Sequence, residues 1–381
     1  MEEQVRHPIA PAPMTPPAAP RNLWTLSVQI LALAIVAAIA AWLIHNAVVN
    51  LASRHISAGF GFLKDSAGFA IAEGPLTFDA SDTYARAFIL GILNTVRAAV
   101  PAVVFASVLG FSLGIALISE HPLVRLLSRT VVDLVRNVPL IVQVLFWYFM
   151  LTELLPDSST PFRLGTGMFL GKGGLALAEP SLSWARVLTG VVVTVALPWL
   201  AHRFGRRLPM AVPLASVVVL AIWFGLPQSW EMPVQGMFGV SGGMTLSPEW
   251  LAVVCSLTLY SGVYCAEIVR AGLLAVAQGQ WEAAHALGLS HRQALWRVIL
   301  PQSMRVIVPP YASLVMNTIK NSSLAIVVGY PDVVSVANTT LNQNGQAIEC
   351  IAIIAAVYLL LNLLAASVMA VVNARVQFHE R

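Results

Sequence analysis

The stretch that decides the fold is residues 267–305, EIVRAGLLAVAQGQWEAAHALGLSHRQALWRVILPQSMR. It predicts two short helices joined by a turn. The first helix covers about 277–287 and ends at Gly288, because glycine adopts the left-handed conformation that follows a helix end at no steric cost. The second helix begins after Ser290, which is placed to form a capping box with Gln293 three residues later.

The second helix has one apolar face and one polar face. Arg292 and Arg297 lie off the apolar face, where they can meet water or lipid headgroups. Pro301 is expected to break this helix before the next apolar stretch. An ordered segment of this kind is typical of a docking surface, and an amphipathic helix lying on lipid is the alternative. The apolar face comprises Ala294, Leu295, Val298 and Ile299.

The composition around this stretch excludes a soluble protein. Hydrophobic residues make up 57% of the 381 residues and charged residues only 10%, against about 25% charged residues in a typical soluble domain. The mean hydropathy is +0.76. The same counts exclude a disordered or collagen-like chain. The net charge of +4 is scattered along the sequence, so no basic stripe for nucleic acid is present.

Apolar stretches long enough to cross a bilayer divide the chain. We therefore predict an all-α integral membrane protein with about eight transmembrane helices, or six or seven if the two short central stretches do not span. The proline-rich residues 1–23 are predicted to be a disordered cytoplasmic tail, and residues 24–44 an uncleaved anchor helix. The predicted spans are 24–44, 92–118, 138–154, 187–201, 208–225, 250–266, 307–327 and 350–372.

The basic residues predict the orientation of these spans. Most of them fall in the loops that share a side with an inward N-terminus, which follows the positive-inside rule. Both termini are then cytoplasmic, and residues 45–87 form a periplasmic loop. Residues 88–376 form the transmembrane domain, with a cytoplasmic loop at 277–303. The remaining outer loops are 155–186 and 226–249, and the second of these has no basic residue.

The spacing within the loop resembles the EAA loop of ABC importer permeases, whose pattern is E-A-A-x3-G-x9-I-x-L-P. The one departure here is valine in place of isoleucine. In that family the loop is the coupling helix that sits in a cleft of the ATPase subunit. The matching residues are Glu282, Ala283, Ala284, Gly288, Val298, Leu300 and Pro301.

Other motifs are similar to the polar amino-acid (HisMQ-like) branch of this family. They lie in residues 92–154 and 250–372, which would be the five-span core. The anchor helix, the 45–87 loop and the 187–225 pair resemble the larger permease subunit of general L-amino-acid importers of the Aap/Bzt type. The motifs are Asn94-Thr95, Arg136–Leu140, Tyr264–Arg270 and Lys320–Leu324.

The resemblance implies a transport subunit of the bacterial inner membrane and not an enzyme. The chain would bind no cofactor, since ATP and Mg would be held by a partner dimer of ATP-binding subunits. A periplasmic amino-acid-binding protein and a second permease subunit would be the other partners, within the lipid bilayer. The second subunit would be a different permease, although pairing of the chain with itself stays open. In the loop, Glu282 would be a polar contact or anchor, Gly288 would allow the sharp turn, and Leu300 with Pro301 would fix its entry into the membrane.

A polar stripe in the 307–327 span supplies candidate pathway residues. Ser313, Asn317, Lys320 and Asn321 occur at i, i+4, i+7 and i+8, so they share one helix face. If the helix begins near Val308, Lys320 lies about 18 Å along it, where a lysine must face protein or water. It could meet a substrate carboxylate, a carboxylate of the partner subunit or the backbone at a helix break. The stripe could equally be a subunit interface.

Two further polar residues lie within predicted spans. Arg97 is expected to extend to the membrane surface, and Gln143 is expected to hydrogen-bond between helices. A structural role is predicted for both side chains.

Neither a nucleotide site nor a metal site is predicted. The segment Gly167–Gly173 is one residue short of a phosphate loop, and no Ser or Thr follows Lys172. A gradient-driven secondary transporter is the alternative function, but it predicts carboxylates within spans, and Glu153, Glu267 and Glu349 fall only at span ends. An intramembrane enzyme would need a nucleophile paired with a base, or a metal set, and the sequence has neither in its spans.

Overall fold

The computed structural model describes residues 23–53, 59–180, 230–237 and 239–377. The chain divides into two units at Gly59. The first described element is helix α1, Leu23–Ser53, which contains the predicted anchor and continues nine residues beyond Ile44. The predicted tail 1–23 lies outside the described residues except for Leu23, and the predicted spans 187–201 and 208–225 lie outside them entirely.

The second unit is built from helices, and their order follows the predicted spans. A π-helical turn, Leu295–Ile299, joins the helices His291–Ala294 and Leu300–Asn321, and 3-10 helices occur at Phe60–Lys64 and Ser322–Val328. The helices are α2 Tyr84–Leu117, α3 Pro122–Arg136, α4 Leu140–Glu153, α5 Pro248–Leu274, α6 Gln278–Ala286, α7 His291–Ala294, α8 Leu300–Asn321, α9 Val333–Asn344 and α10 Ala347–Val376.

Within the described residues, α2, α5 and α10 are each long and apolar enough to cross a membrane. Two bent pairs bring the number to five if each pair is one span. Helices α3 and α4 meet at 101°, and the helical run from α7 to Val328 meets α9 at 51°. These five elements cover the five predicted spans of the core, so the helical membrane fold is confirmed.

Helices α2 and α5 pack closely because glycines face the contact. A Cβ atom on Gly110 would overlap the Cys265 side chain, and one on Gly114 would overlap Val269. Small residues at such positions let two membrane helices approach each other. Cys265 and Cys350 are buried and Cys255 is half-buried, which agrees with their apolar surroundings in the sequence.

Short strands lie between α4 and α5, where the sequence predicts two outer loops. They form one four-stranded antiparallel sheet, in which Met168–Gly171 and Gly174–Leu177 are the central strands, and two further antiparallel pairs. Leu175 lies opposite Leu246, and Glu179 lies opposite Glu231, so the two loops meet at one end of the unit. The strands are β1 Phe162–Arg163, β2 Met168–Gly171, β3 Gly174–Leu177, β4 Glu179–Pro180, β5 Trp230–Glu231, β6 Val234–Gly236, β7 Gly239–Ser241 and β8 Met244–Leu246.

Residues 60–83, which precede α2, pack at the same end as the strands, where Ser247 donates to Glu73. Phe62 and Ile71 are buried in one cluster with Tyr84, Phe88 and Val336. We call this end the outer end, and the opposite end, which carries the 278–301 loop, the inner end.

Candidate functional site

The inner loop, residues 278–301, contains the turn that the sequence predicts. Helix α6 ends in a Schellman motif: Gly288 N donates to His285 O at 2.9 Å, and Leu289 N donates to Ala284 O at 3.1 Å. Gly288 has φ +78°, a left-handed conformation that favours glycine. The predicted helix end and its glycine terminator are therefore confirmed.

The second helix of the inner loop begins with the predicted capping box. Gln293 N donates to Ser290 Oγ at 3.4 Å, and Ser290 N donates to Gln293 Oε1 at 3.0 Å. Ala294, Leu295 and Ile299 are buried, so the predicted apolar face packs inward. The loop is a folded element and not a simple connector.

Pro301 does not break this helix, and the expected interruption is wrong. The helical path continues through the π-helical turn, in which Leu300 N donates to Leu295 O. Proline lacks the N–H that an α-helix needs and its ring crowds the preceding turn. The wider π turn comes directly before Pro301, which then occupies the first turn of α8, where a proline is tolerated.

The residues of the EAA pattern divide into exposed and buried positions. Glu282, Ala283, Gly288 and Pro301 are exposed, Leu300 is half-buried, and Ala284 is 2% exposed. A Cβ atom added to Gly288 would meet no heavy atom within 4 Å. This space lies outside the chain, so it is open to a partner.

Contacts tie the inner loop to two other elements. Gln302 Nε2 donates to Gln280 Oε1 at 3.1 Å, which joins α6 to the first turn of α8. The rings of Trp281 and His291 stack at 4.9 Å, and His291 Nδ1 lies 3.5 Å from Glu120 Oε1 in the link between α2 and α3. These contacts connect α6 to α8 and to the α2–α3 link, so a displacement of α6 would also move these two elements.

A charged group lies at the inner ends of α3 and α5. Glu267 Oε1 is 3.5 Å from Arg136 Nη1, and Glu267 Oε2 is 2.9 Å from Arg270 Nη2. The Arg136 guanidinium also lies 5.5 Å from the centre of the Tyr264 ring. Two motifs that are more than a hundred residues apart in the sequence thus meet at one carboxylate.

The polar stripe of α8 is largely exposed in this chain. Ser313, Asn317 and Lys320 are exposed and Asn321 is half-buried, whereas Thr318 between them is buried and donates to Ser261 Oγ at 2.8 Å. Lys320 makes no ion pair with any described residue. Helix α8 begins eight residues before the assumed start at Val308, so Lys320 lies about 30 Å from Leu300 along one continuous helix.

A second polar group, which we call the outer clamp, consists of Asn94, Thr95, Tyr330, Pro331 and Val333. Asn94 Nδ2 donates to Glu73 O at 2.9 Å and to Pro331 O at 3.0 Å. Tyr330 Oη donates to Asn94 O at 3.0 Å, and Val333 N donates to Thr95 Oγ1 at 3.1 Å. These bonds hold residues 330–333, the segment between the 3-10 helix and α9, against α2.

Arg97 is held by an acidic residue of the outer segment, so its predicted structural role is confirmed. Its Nη1 lies 3.0 Å from Glu73 Oε1, and its guanidinium lies 5.9 Å from the centre of the Trp250 ring. Burial raises the pKa of Glu73, although the hydrogen bond from Ser247 and the charge of Arg97 act in the opposite direction. The sequence missed this pair because Glu73 lies in a predicted loop.

The glycine-rich segment near Lys172 is a hairpin turn and not a phosphate-binding loop. Gly171 lies opposite Gly174 in the β2–β3 pair, and Lys172 Nζ lies 3.0 Å from Asp157 Oδ1. Among the described residues, no group of three or more His, Cys, Asp or Glu side chains is placed to hold a metal ion.

Comparison with known proteins identifies the family. A model described as "Binding-protein-dependent transport system inner membrane component" matches residues 102–378. The putative amino-acid ABC transporter permease protein YhdX of Escherichia coli K12 is 41% identical over 93% of this chain and 94% of its own length. The general L-amino acid transport system permease protein AapQ of Rhizobium johnstonii is 36% identical over 93% of this chain and 92% of its own.

A third relative, the glutamate/glutamine/aspartate/asparagine transport system permease protein BztB of Rhodobacter capsulatus, is 31% identical over 94% of each chain. Among solved structures, the crystal structure of an amino acid ABC transporter with histidines aligns with a TM-score of 0.47 and 20% identity, covering 77% of this chain and 95% of that one. The family model spans well over half of the sequence, and the three relatives match nearly all of it. The chain therefore belongs to the family of inner-membrane components of binding-protein-dependent transport systems, as an ABC transporter permease.

Proposed function

We propose that this chain is the permease subunit of an ATP-driven importer of amino acids in a bacterial inner membrane. The observation that carries the proposal is the inner loop, a folded helix-turn-helix whose EAA residues Glu282 and Gly288 face outward. The substrate class rests on the three relatives, whose names refer to amino-acid transport. The chain itself binds no cofactor: ATP and Mg are held by a separate dimer of ATP-binding subunits.

The other partners follow from the same assignment. A periplasmic amino-acid-binding protein docks on the outer end, where the short strands and residues 60–83 form an ordered surface. A second, different permease subunit completes the transmembrane pathway. Both termini of this chain are cytoplasmic, in keeping with the distribution of its basic residues.

Coupling between ATP and transport begins at the inner loop. Closure of the ATPase dimer displaces α6, and the Gln280–Gln302 hydrogen bond passes this displacement to α8. The Trp281–His291 stack, which touches Glu120, passes it to the α2–α3 link. Because ATP binds one arrangement of the dimer more tightly than the other, it shifts the permease between two packings of the same helices.

The substrate pathway runs along the exposed stripe of α8. Asn317, Lys320 and Asn321 stand on the same helix that leaves the inner loop, so a displacement of that loop is carried to them by a rigid element. The Lys320 ammonium, which has no described ionic partner, is placed to meet the carboxylate that every amino acid carries. A carboxylate of the second permease is the competing partner for this lysine.

The coupling assignment is tested by comparing Gly288→Trp with Gly68→Trp. Both glycines have a left-handed φ, +78° and +70°, and neither has a heavy atom within 4 Å of its Cβ direction. The two changes therefore impose similar strain in the chain, but only Gly288 lies on the inner loop. Each variant is co-expressed with the candidate ATPase and purified at matched membrane levels, and the ATPase that co-purifies is measured.

We expect Gly288→Trp to lower the retained ATPase by about tenfold, the effect of roughly 1.4 kcal/mol of lost binding, and Gly68→Trp to leave it unchanged. Equal retention in the wild type and both variants would show that the inner loop is not the docking surface.

Substrate uptake into proteoliposomes then separates the two transport mechanisms. Uptake that needs ATP inside and survives a protonophore supports the importer, whereas uptake abolished by the protonophore supports a gradient-driven transporter.

The pathway assignment is tested in the same proteoliposomes with Lys320→Gln and, as a control, Lys172→Gln. We expect Lys320→Gln to slow uptake while ATPase retention stays normal, because the substrate carboxylate loses its counter-charge. Lys172 lies in the outer β2–β3 hairpin, on the surface proposed for the binding protein. Uptake is therefore compared at saturating binding protein, where the loss of Lys172 is expected to have no effect. Unchanged uptake in Lys320→Gln would exclude the lysine from the pathway.

A further inference from the structure

Helix α3 presents three distinct faces. Ser128 and Val132 are buried, and Val132 packs with Leu117, Val263 and Ala266 of α2 and α5. This face holds α3 against the core of the unit. The other two faces of α3 are exposed among the described residues, except where Arg136 contacts Glu267 and Tyr264 of α5.

The first uncovered face is apolar. Leu123, Leu126, Leu127, Val131 and Leu134 occur at i, i+3, i+4, i+8 and i+11, which places them on one side of a helix. Their exposed fractions run from 44% for Val131 to 65% for Leu134. An apolar strip of this size is not left facing water in a folded protein.

The second uncovered face is basic. Arg125, Arg129 and Arg136 occur at i, i+4 and i+11, with one acidic residue, Asp133, among them. Arg136 is held by Glu267 at 3.5 Å, and Arg129 lies 3.8 Å from Asp133. Arg125 makes no ion pair with a described residue, and both Arg125 and Arg129 are exposed.

The orientation of α3 is set by a built bend and not by a loose link. Gln143 of α4 is buried, and its Nε2 donates to Val135 O at 3.0 Å and to Val138 O at 2.9 Å. These bonds fix the last turn of α3 at 101° to α4. If α4 crosses the membrane, α3 therefore runs nearly in the membrane plane.

The length of α4 indicates the depth at which α3 lies. Fourteen residues give a helix of about 21 Å, whereas the hydrocarbon core is about 30 Å thick. The inner end of α4 must then begin several ångströms below the headgroups. A helix lying in the interface buries its apolar face by about 5–10 Å, which accounts for the missing length.

We propose that α3 is an interfacial helix embedded in the leaflet on the inner side, and that Arg125 and Arg129 bind the headgroups of anionic lipids. The contact between His291 and Glu120 places the start of α3 beside the inner loop, which fixes the leaflet. The occupant of the apolar face is lipid, because that face lies between a basic face and the apolar surface of the spans. This inference does not depend on the substrate or on the ATPase.

Depth measurements with spin labels test the embedding. Single cysteines replace Leu126, Leu134 and Arg129 in full-length chain whose three native cysteines are alanine, reconstituted in nanodiscs of phosphatidylcholine with phosphatidylglycerol. We expect labels at 126 and 134 to collide with oxygen, at a depth of about 5–10 Å, and the label at 129 to collide with a water-soluble nickel chelate. Labels at 126 and 134 that favour nickel would place the face in water. Labels shielded from both reagents would assign it to a protein partner, and either result overturns the proposal.

Lipid selectivity tests the basic face. The preference of the protein for spin-labelled phosphatidylglycerol over phosphatidylcholine is measured for the wild type and for Arg125→Gln, Arg129→Gln and Arg163→Gln. The first two are expected to lower the preference by about fivefold each. Arg163→Gln is the control, since Arg163 lies in β1 at the outer end. An unchanged preference in the Arg125 and Arg129 variants would rule out headgroup binding by these residues.

Discussion

The inner loop and the outer clamp are both polar elements at the ends of membrane helices, but they are held in opposite ways. The inner loop is shaped by neighbours in the sequence: its Schellman motif and capping box join residues no more than five positions apart. The outer clamp joins residues that are 236–238 positions apart.

The two regions also differ in what they leave exposed. Leu287 in the inner loop is 81% exposed, whereas Asn94 and Tyr330 in the outer clamp are 0% exposed. The outer clamp makes its hydrogen bonds within the chain, and these bonds position α9 against α2. Among the described residues, only the Asn94 Oδ1 atom of this group is buried without a partner. The inner loop leaves its surface exposed, which the proposed coupling to an ATPase requires.

The largest expected effect comes from removing the centre of the outer clamp. Asn94→Ala leaves the part-buried carbonyls of Glu73 and Pro331 without their donor, and we expect it to cost about 2–4 kcal/mol of stability. The measurement is the thermal unfolding midpoint of the purified protein in nanodiscs. Asn317→Ala is the matched control, because Asn317 is exposed on α8. Equal shifts in the two variants would mean that the outer clamp is not structural.

The inner loop could be predicted from the sequence and the outer clamp could not. The reason is the separation along the sequence of the residues that each region joins. Gly288 and the Ser290–Gln293 pair are local signals, since a helix end needs the same residue types in any protein. Asn94-Thr95 was visible only as a family motif. Its hydrogen bonds to the 330–333 segment depend on how α2 packs with α9, which no local pattern encodes.

The wrong prediction at Pro301 and the ion pair missed at Arg97 have the same origin, since each depends on structure beyond the local sequence. Pro301 was read as a helix breaker from its local chemistry, but a π-helical turn accommodates it. The partner of Arg97, Glu73, lies 24 positions away in an outer segment, so no local pattern reveals the pair. The five core spans, by contrast, follow from apolar runs, which report directly on burial in lipid.

A smaller effect is expected at the inner end of α5. The three charged side chains there are partly exposed, more than the outer clamp and less than the tip of the inner loop. Glu267→Gln removes the carboxylate shared by Arg136 and Arg270. These side chains are partly exposed, so solvent screening limits the loss to about 1 kcal/mol or less. Thermal unfolding again gives the value. Asp133→Asn is the control, since its pair with Arg129 is 3.8 Å apart and largely exposed, and no measurable shift is expected.

If Glu267→Gln destabilised the protein as much as Asn94→Ala, the inner charged group would be as firmly built as the outer clamp, and the contrast between the two ends would fail. A shift no larger than that of Asp133→Asn would show that the charges contribute nothing to holding α3 against α5. We expect the shift for Glu267→Gln to lie between those for Asp133→Asn and Asn94→Ala, which would confirm that the two ends are held differently.

The smallest effect is expected within the inner loop itself, from Gln293→Ala. The change removes one half of the capping box, the bond from Ser290 N to Gln293 Oε1, and leaves the other half in place. The expected cost is about 0.5–1 kcal/mol, confined to the start of α7, because every bond of the box is local. Hydrogen exchange followed by mass spectrometry should therefore show faster exchange in peptides covering 288–296 and unchanged exchange around 94 and 330. Faster exchange at the outer clamp would contradict the local character of the inner loop, since it would mean that a single cap at one end stabilises contacts at the other.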